Sequence, residues 1–168
     1  MKSSQSAVVL VGHGGLPKDC PRDLVQKFKK LESQRRASGQ PPSREEVELD
    51  RQIREWPRTP ETDPYQAGLL ALAGKLAPLL KGVRLVVAYN EFCAPDVPRA
   101  VEKLIAEGVG TITVVPTMMT PGGSHSEVEI PEIIAALRAR HPKIHLNYAW
   151  PFDLEKLAEM LVSHLNQF

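Results

Sequence analysis

The chain has 168 residues, 42% hydrophobic and 24% charged, a size and mix that fit one ordinary globular domain with a sound core. A net charge of +1 without a basic tract argues against a nucleic-acid-binding surface, although a local cluster of Lys and Arg can still hold an anionic small molecule. Two cysteines, Cys20 and Cys93, are too few for a disulfide framework and too far apart for a CxxC site.

In chain order, MKSSQSAVVLVGHGG contains an apolar run of only about five residues, too short for a signal h-region or a membrane span. The expectation is a cytoplasmic protein whose first strand is Ala7 to Val11, continuous and β-branched as in strands covered on both faces. GHGG ends it. From Pro21 a helical pattern follows, with Leu24, Val25, Phe28 and Leu31 at three- and four-residue intervals. Residues 38–63 are rich in Pro, Arg and Glu, with Val47, Leu49, Ile53 and Trp56 as the main apolar groups. This stretch reads as an insertion in a single domain spanning 1–168. Ser43 can cap a short helix through Glu55, and the insertion is expected to be a solvated excursion, or else a lid or partner-binding arm.

Helical spacing resumes from Pro64 to Leu80, and Gly82 ends it. Val83 to Tyr89 reads as the second strand and leads into the loop NEFCAPD. Pro95 to Glu107 reads as a helix, Thr111 to Val115 as the third strand, and Ile130 to Arg140 as the next helix. Ile144 to Tyr148 is the fourth strand, and Asp153 caps a last helix carrying Leu154, Leu157, Leu161 and Leu165. The alternation predicts an α/β fold, an open sheet of four mainly parallel strands with helices on both faces.

In such a sheet the loops after the strands gather at one edge. They bring His13 after strand one, Asn90-Glu91-Phe92-Cys93 after strand two, and Ser124-His125-Ser126-Glu127 after strand three. Two neutral imidazoles and a carboxylate suit a divalent first-row ion such as Co²⁺, Ni²⁺, Fe²⁺ or Zn²⁺ and leave coordination positions open. Other roles are available to each group. His13 can hydrogen-bond its own turn, and His125 can be a solvated loop residue with Ser124 and Ser126 capping the next helix. GHGG lacks both the GxGxxG spacing and a Walker lysine. There is no GxSxG, and Cys93 in apolar company reads as inert core. His141, His145 and His164 read as structural or surface residues.

The chain resembles the small single-domain class II chelatases, the sirohydrochlorin cobaltochelatase family with its related ferro- and nickel-chelatases. The resemblance rests on VVLVGHGG, on AYNEFCAPDVPRAVEKLIAEGVGTITVVPTMMTPGGSHSEVEIPEII and on LRARHPKIHLNYAWPFDLEKLAEMLVSHL, so it omits mainly residues 38–63. It implies insertion of a divalent metal, Co²⁺ or else Ni²⁺ or Fe²⁺, into a tetrapyrrole, as in cobalamin or siroheme biosynthesis. It implies metal-binding and catalytic roles for His13 and His125, with Glu91 as the acidic partner, and no cofactor beyond the metal substrate. Short members of the family pair as homodimers around the substrate cleft, and neither nucleic acid nor membrane is an expected partner. Lys18, Arg22 and Arg99 are candidates for holding the macrocycle's carboxylates. This chain departs from the family in reading HGG rather than HGS, and in placing Glu129 where an aspartate is usual before IPE. A non-catalytic metal or tetrapyrrole carrier on the same scaffold is the rival reading, and a flavodoxin-like regulatory domain is a third.

Overall fold

The computed structural model describes residues 5–168. Four strands, β1 (Gln5–Gly12), β2 (Arg84–Tyr89), β3 (Val109–Pro116) and β4 (His145–Tyr148), form one sheet in the order β2-β1-β3-β4. All three pairings are parallel, with Val11 opposite both Ala88 and Pro116. The helices are α1 (Arg22–Ser38), α2 (Arg44–Arg54), α3 (Pro64–Leu76), α4 (Val97–Ala106), α5 (Ile130–Arg140) and α6 (Leu154–Leu165). Among the described residues no helix is long and apolar enough to cross a membrane.

The apolar run of β1 is buried because helices cover both its faces. Val9 and Val11 meet Val101, Leu104, Ile134 and Leu137 from α4 and α5, and all but Ile134 and Leu104 among these are fully excluded from solvent. Leu10 points the other way, into a smaller cluster with Leu69 and Ala73 of α3 and with Tyr89 and Cys93. Burying side chains of this size contributes roughly 1.5–3 kcal/mol each, so the strand is pinned in register by its alternation of faces. Asp96 caps α4 by accepting from the Arg99 N–H at 2.8 Å, and Asp153 caps α6 through the N–H of Glu155 at 3.0 Å.

Residues 38–63 are not the solvated excursion that their composition suggests. Ser43 does cap α2, accepting from the Glu46 N–H at 3.1 Å. Leu49, Ile53 and Trp56 stand four and three residues apart, so they form one stripe, and α1 covers it. Ile53 is fully buried beside Phe28, Leu49 and Cys20, with Trp56 and Phe92 packed against them. Val47 lies off the stripe and is exposed. Glu46 is buried as well, its carboxylate bonded to Arg35 Nε at 2.7 Å. Three apolar residues at helical spacing outweigh the charge around them because the charges occupy the other face.

A second difference lies at the end of the chain. The leucine-rich helix α6 forms as its pattern requires, yet it contains no buried residue, and Leu154, Leu161 and Leu165 are more than half exposed.

Candidate metal centre

The carboxyl ends of three adjacent strands, β2, β1 and β3, carry the loops that hold Glu91, His13 and His125. Strand pairing continues beyond the strands: Asn90 donates its N–H to the Gly12 carbonyl at 2.9 Å, and Glu91 to the His13 carbonyl at 2.8 Å. The two loops leave the sheet side by side. Gly14 makes this possible. Its φ is 95°, and a Cβ there would lie 1.8 Å from the Glu91 carbonyl oxygen, so any larger residue would push the two loops apart.

His13, Glu91 and His125 each offer a ligand atom, and these atoms lie within 4.8 Å of one another. His13 Nε2 stands 3.9 Å from a Glu91 carboxylate oxygen. The two imidazole rings meet edge to face, centroids 4.8 Å apart. Each ring is also held from behind through its other nitrogen. His13 Nδ1 lies 2.8 Å from the Gly14 carbonyl, and His125 Nδ1 lies 2.9 Å from Glu129 Oε2. The Gly14 carbonyl only accepts, so the proton of that bond resides on His13 Nδ1 and its Nε2 keeps the lone pair, whereas His125 Nδ1 sits between an acceptor, the Glu129 carboxylate, and a donor, the Asn90 amide. Tyr65 steadies the first loop further, accepting from the His13 N–H at 2.7 Å.

His125 lies on a widened helical turn, His125–Glu129, in which the Ile130 N–H reaches back to the His125 carbonyl five residues earlier. The expected loop is therefore shorter by this turn, and α5 starts directly from it. Such one-turn widenings of a helix are frequent at functional sites. Ser126 on the same turn is fully buried. Its Oγ donates to the Met118 carbonyl at 3.3 Å, and its own carbonyl accepts from Tyr148 Oη at 2.8 Å. Burial pushes the Tyr148 hydroxyl up to about 12, so it remains a neutral donor. Ser126 thus ties the turn to β4 and does not cap the helix. Glu127 faces away and accepts from the Gly122 N–H at 3.0 Å, closing its own loop.

Asn90 and Glu129 complete the surroundings. Asn90 Nδ2 lies 2.9 Å from Glu129 Oε2 and 2.8 Å from His125 Nδ1. Burial pushes the Glu129 carboxyl up, but hydrogen bonds from Asn90 and His125 and the nearby charge of Arg36 outweigh it and hold the group below the usual carboxylate range. Arg36 itself stands 3.9 Å from Glu91. Of the three basic residues that the sequence offered for carboxylate binding, Arg99 is committed to Glu55 at 3.4 Å and Asp96 at 3.8 Å. Lys18 and Arg22 are exposed. Arg36 is a cation that the fold brings beside the cluster. Cys93 is buried, its thiol raised by burial and touched by Gln66 Nε2 at 3.3 Å, which fits inert core.

The family model CbiX matches residues 61–167, more than half of the 168. The chain belongs to the CbiX family. The matched span contains Glu91 and His125, while His13 and its loop precede it. Two proteins of Priestia megaterium align over part of the chain. The sirohydrochlorin ferrochelatase is 28% identical over 82 residues, 48% of this chain and 30% of that protein. The sirohydrochlorin cobaltochelatase is 30% identical over 80 residues, 47% of this chain and 26% of that protein. Each match thus spans less than a third of the relative's length. Among solved structures, the sirohydrochlorin chelatase SirB from Bacillus subtilis subspecies spizizenii, in complex with cobalt, is 18% identical, covering 88% of this chain and 43% of that one with a TM-score of 0.44. A CbiX protein from Marinobacter aquaeolei VT8 is 17% identical, covering 96% of both chains with a TM-score of 0.46.

In this CbiX chain, Glu129 and Asn90 are the site residues that sequence reasoning passed over. The signal for Glu129 was present: it follows His125 by four residues, the spacing that puts two side chains on one helix face. It was masked by reading the segment before Ile130 as loop. Asn90 had no comparable signal, because its role depends on β2 and β3 flanking β1.

Proposed function

We propose that this CbiX protein inserts a divalent metal ion, Co²⁺ or else Ni²⁺ or Fe²⁺, into a tetrapyrrole such as sirohydrochlorin, in cobalamin- or siroheme-type biosynthesis in the cytoplasm. The metal is a substrate, held by His13, Glu91 and His125, and no further cofactor is required. One observation carries the reading: two imidazoles, each engaged through Nδ1, converge with a carboxylate so that one ligand atom of each lies within 4.8 Å of the others, a donor set that suits a divalent metal. The two Priestia megaterium relatives, one named for iron and one for cobalt, support the reaction class and leave the choice of metal open.

The chemistry follows from the donor set. Three protein ligands leave positions at which macrocycle nitrogens can replace them one by one. The macrocycle loses two N–H protons as it gains the metal. Each ligand that the metal leaves regains a basic lone pair beside the ring, so the Nε2 atoms and the Glu91 carboxylate are the nearest acceptors. The two protons then pass to water, and charge balances. The guanidinium of Arg36, more than half exposed next to Glu91, is placed to meet a substrate carboxylate.

We further propose that the chain acts as one domain, with the insertion of residues 38–63 packed into it, and that two copies pair through the uncovered apolar face of α6. The decisive experiment is a Co²⁺ insertion assay with sirohydrochlorin. His13→Ala and His125→Ala are each expected to lower the rate by at least about 100-fold, in line with losing a ligand outright. Unchanged rates in both would sink the mechanism. Stoichiometric binding without turnover in the unsubstituted protein would favour the carrier.

A further inference from the structure

Residues 53–63 do more than fill space beneath the site. Arg58 has only 5% of its side chain exposed, and it pairs with Asp63, which is 2% exposed. Its guanidinium donates to the Gly15 carbonyl at 2.8 Å and to the Phe92 carbonyl. It also reaches the Ile53 carbonyl at 3.2 Å. Gly15 lies two residues after His13, and Phe92 directly follows Glu91. One buried cation therefore grips both ligand loops at once.

The grip extends on either side. Arg54 donates to the carbonyls of Asn90 and Cys93, both at 3.2 Å, and its own carbonyl accepts from the Ala94 N–H at 3.2 Å. The Lys18 N–H donates to the Thr62 carbonyl at 2.8 Å, holding the far end of the first loop. Asp63 Oδ1 accepts from the Gln66 N–H at 2.9 Å, which anchors the pair to the start of α3. Phe92 sits at a φ of 56°, a left-handed conformation rare for a bulky residue, and its carbonyl is the one that Arg58 holds.

Packing alone does not explain Arg58. Among the described residues its buried Nε has no partner, so a charged side chain is retained there although one donor goes unused. An apolar residue of the same size would leave the carbonyls of Gly15 and Phe92 unpaired and would no longer tie one loop to the other. Both arginines, Arg54 and Arg58, lie outside the 61–167 span of the family match, whereas Thr62, Asp63 and Gln66 lie inside it. The cations of the brace therefore both come from residues 38–63.

We propose that Arg58, seconded by Arg54, is a positioning residue that sets the spacing between His13 and Glu91, so that the insertion governs how tightly the site holds its metal. The proposal rests on the reading of His13, Glu91 and His125 as the metal-binding set. The test uses the full chain and Co²⁺ alone, with affinity and visible d–d bands followed by titration and the fold followed by circular dichroism. Arg58→Lys keeps the charge beside Asp63 but cannot grip both loops. It is expected to weaken Co²⁺ binding by about 10- to 100-fold and to shift the d–d bands. Leu49→Ala loosens the hydrophobic cluster on which Phe92 rests but removes no hydrogen bond to either loop. It is expected to lower the melting temperature and leave affinity unchanged.

If Arg58→Lys does not fold, Arg54→Lys carries the test, with a loss in the same direction. Wild-type affinity in the folded arginine variant overturns the proposal, as does an equal loss in Leu49→Ala. Affinity unchanged in His13→Ala and His125→Ala would remove the metal-site reading itself and the brace with it. Affinity lost in those two but retained in the arginine variants would remove only the brace.

Discussion

His125 and Glu129 face each other across one helical turn, and the carboxylate engages Nδ1 of the ring. A histidine ligand depends on this kind of support, because a ring free to rotate or change tautomer presents its lone pair only part of the time. Glu129→Gln keeps the shape of the side chain but gives up the charge. It is expected to weaken Co²⁺ binding by about 10- to 100-fold with little change in thermal stability, read by titration and by melting on the same sample. Unchanged affinity would mean that the carboxylate charge of Glu129 does not orient the ring. At this scale the three ligand candidates were legible, since residue type and position after a strand name them. Their supports were not. Asn90 and Arg36 matter through contacts that cross between elements, which nothing local in the sequence marks, while the i,i+4 signal of Glu129 was hidden because its segment reads as loop.

The element scale is where the chain departs most from its own composition. The strands and most helices stand within a few residues of where hydrophobic spacing puts them, and Ser43, Asp96 and Asp153 supply their caps. The segment around α2 looks solvated when its charges are counted and buried when its spacing is read. Leu49, Ile53 and Trp56 decide the outcome because α1 has a matching stripe to receive them. Ile53→Ala should therefore cost about 2–5 kcal/mol, as truncation of a fully buried core residue does, in denaturant unfolding at equilibrium. Val47→Ala, exposed and off the stripe on the same helix, should cost under about 0.5 kcal/mol. Equal small effects at both positions would contradict the packing of α2 on α1. The widened turn at His125 was not legible for a different reason. A helix with one turn of five-residue bonding has the same apolar periodicity as a shorter helix preceded by a loop.

At the scale of the whole molecule, the sequence implies parallel strands and helices on two faces, but not the order β2-β1-β3-β4. That order matters, because it seats β1 between β2 and β3 and so gathers three distant residues above adjacent strand ends. It also leaves α6 with its leucines uncovered, a contiguous apolar strip of the sort that marks an interface. If two copies pair there, sedimentation equilibrium will give twice the 18.6 kDa of one chain, and Leu161→Ser combined with Leu165→Ser will return a monomer. A monomeric unsubstituted protein at concentrations of roughly tens of micromolar would rule this pairing out as a stable interface.

In the proposed reaction the three loops hold a metal in order to give it away. The sharpest check follows the absorption spectrum of sirohydrochlorin incubated with excess Co²⁺ and a trace of the protein. The macrocycle spectrum is expected to shift through many turnovers per chain, and His125→Ala is expected to abolish the shift. A spectral change that stops at one macrocycle per chain, or that proceeds equally well without His125, would contradict the chelatase reading.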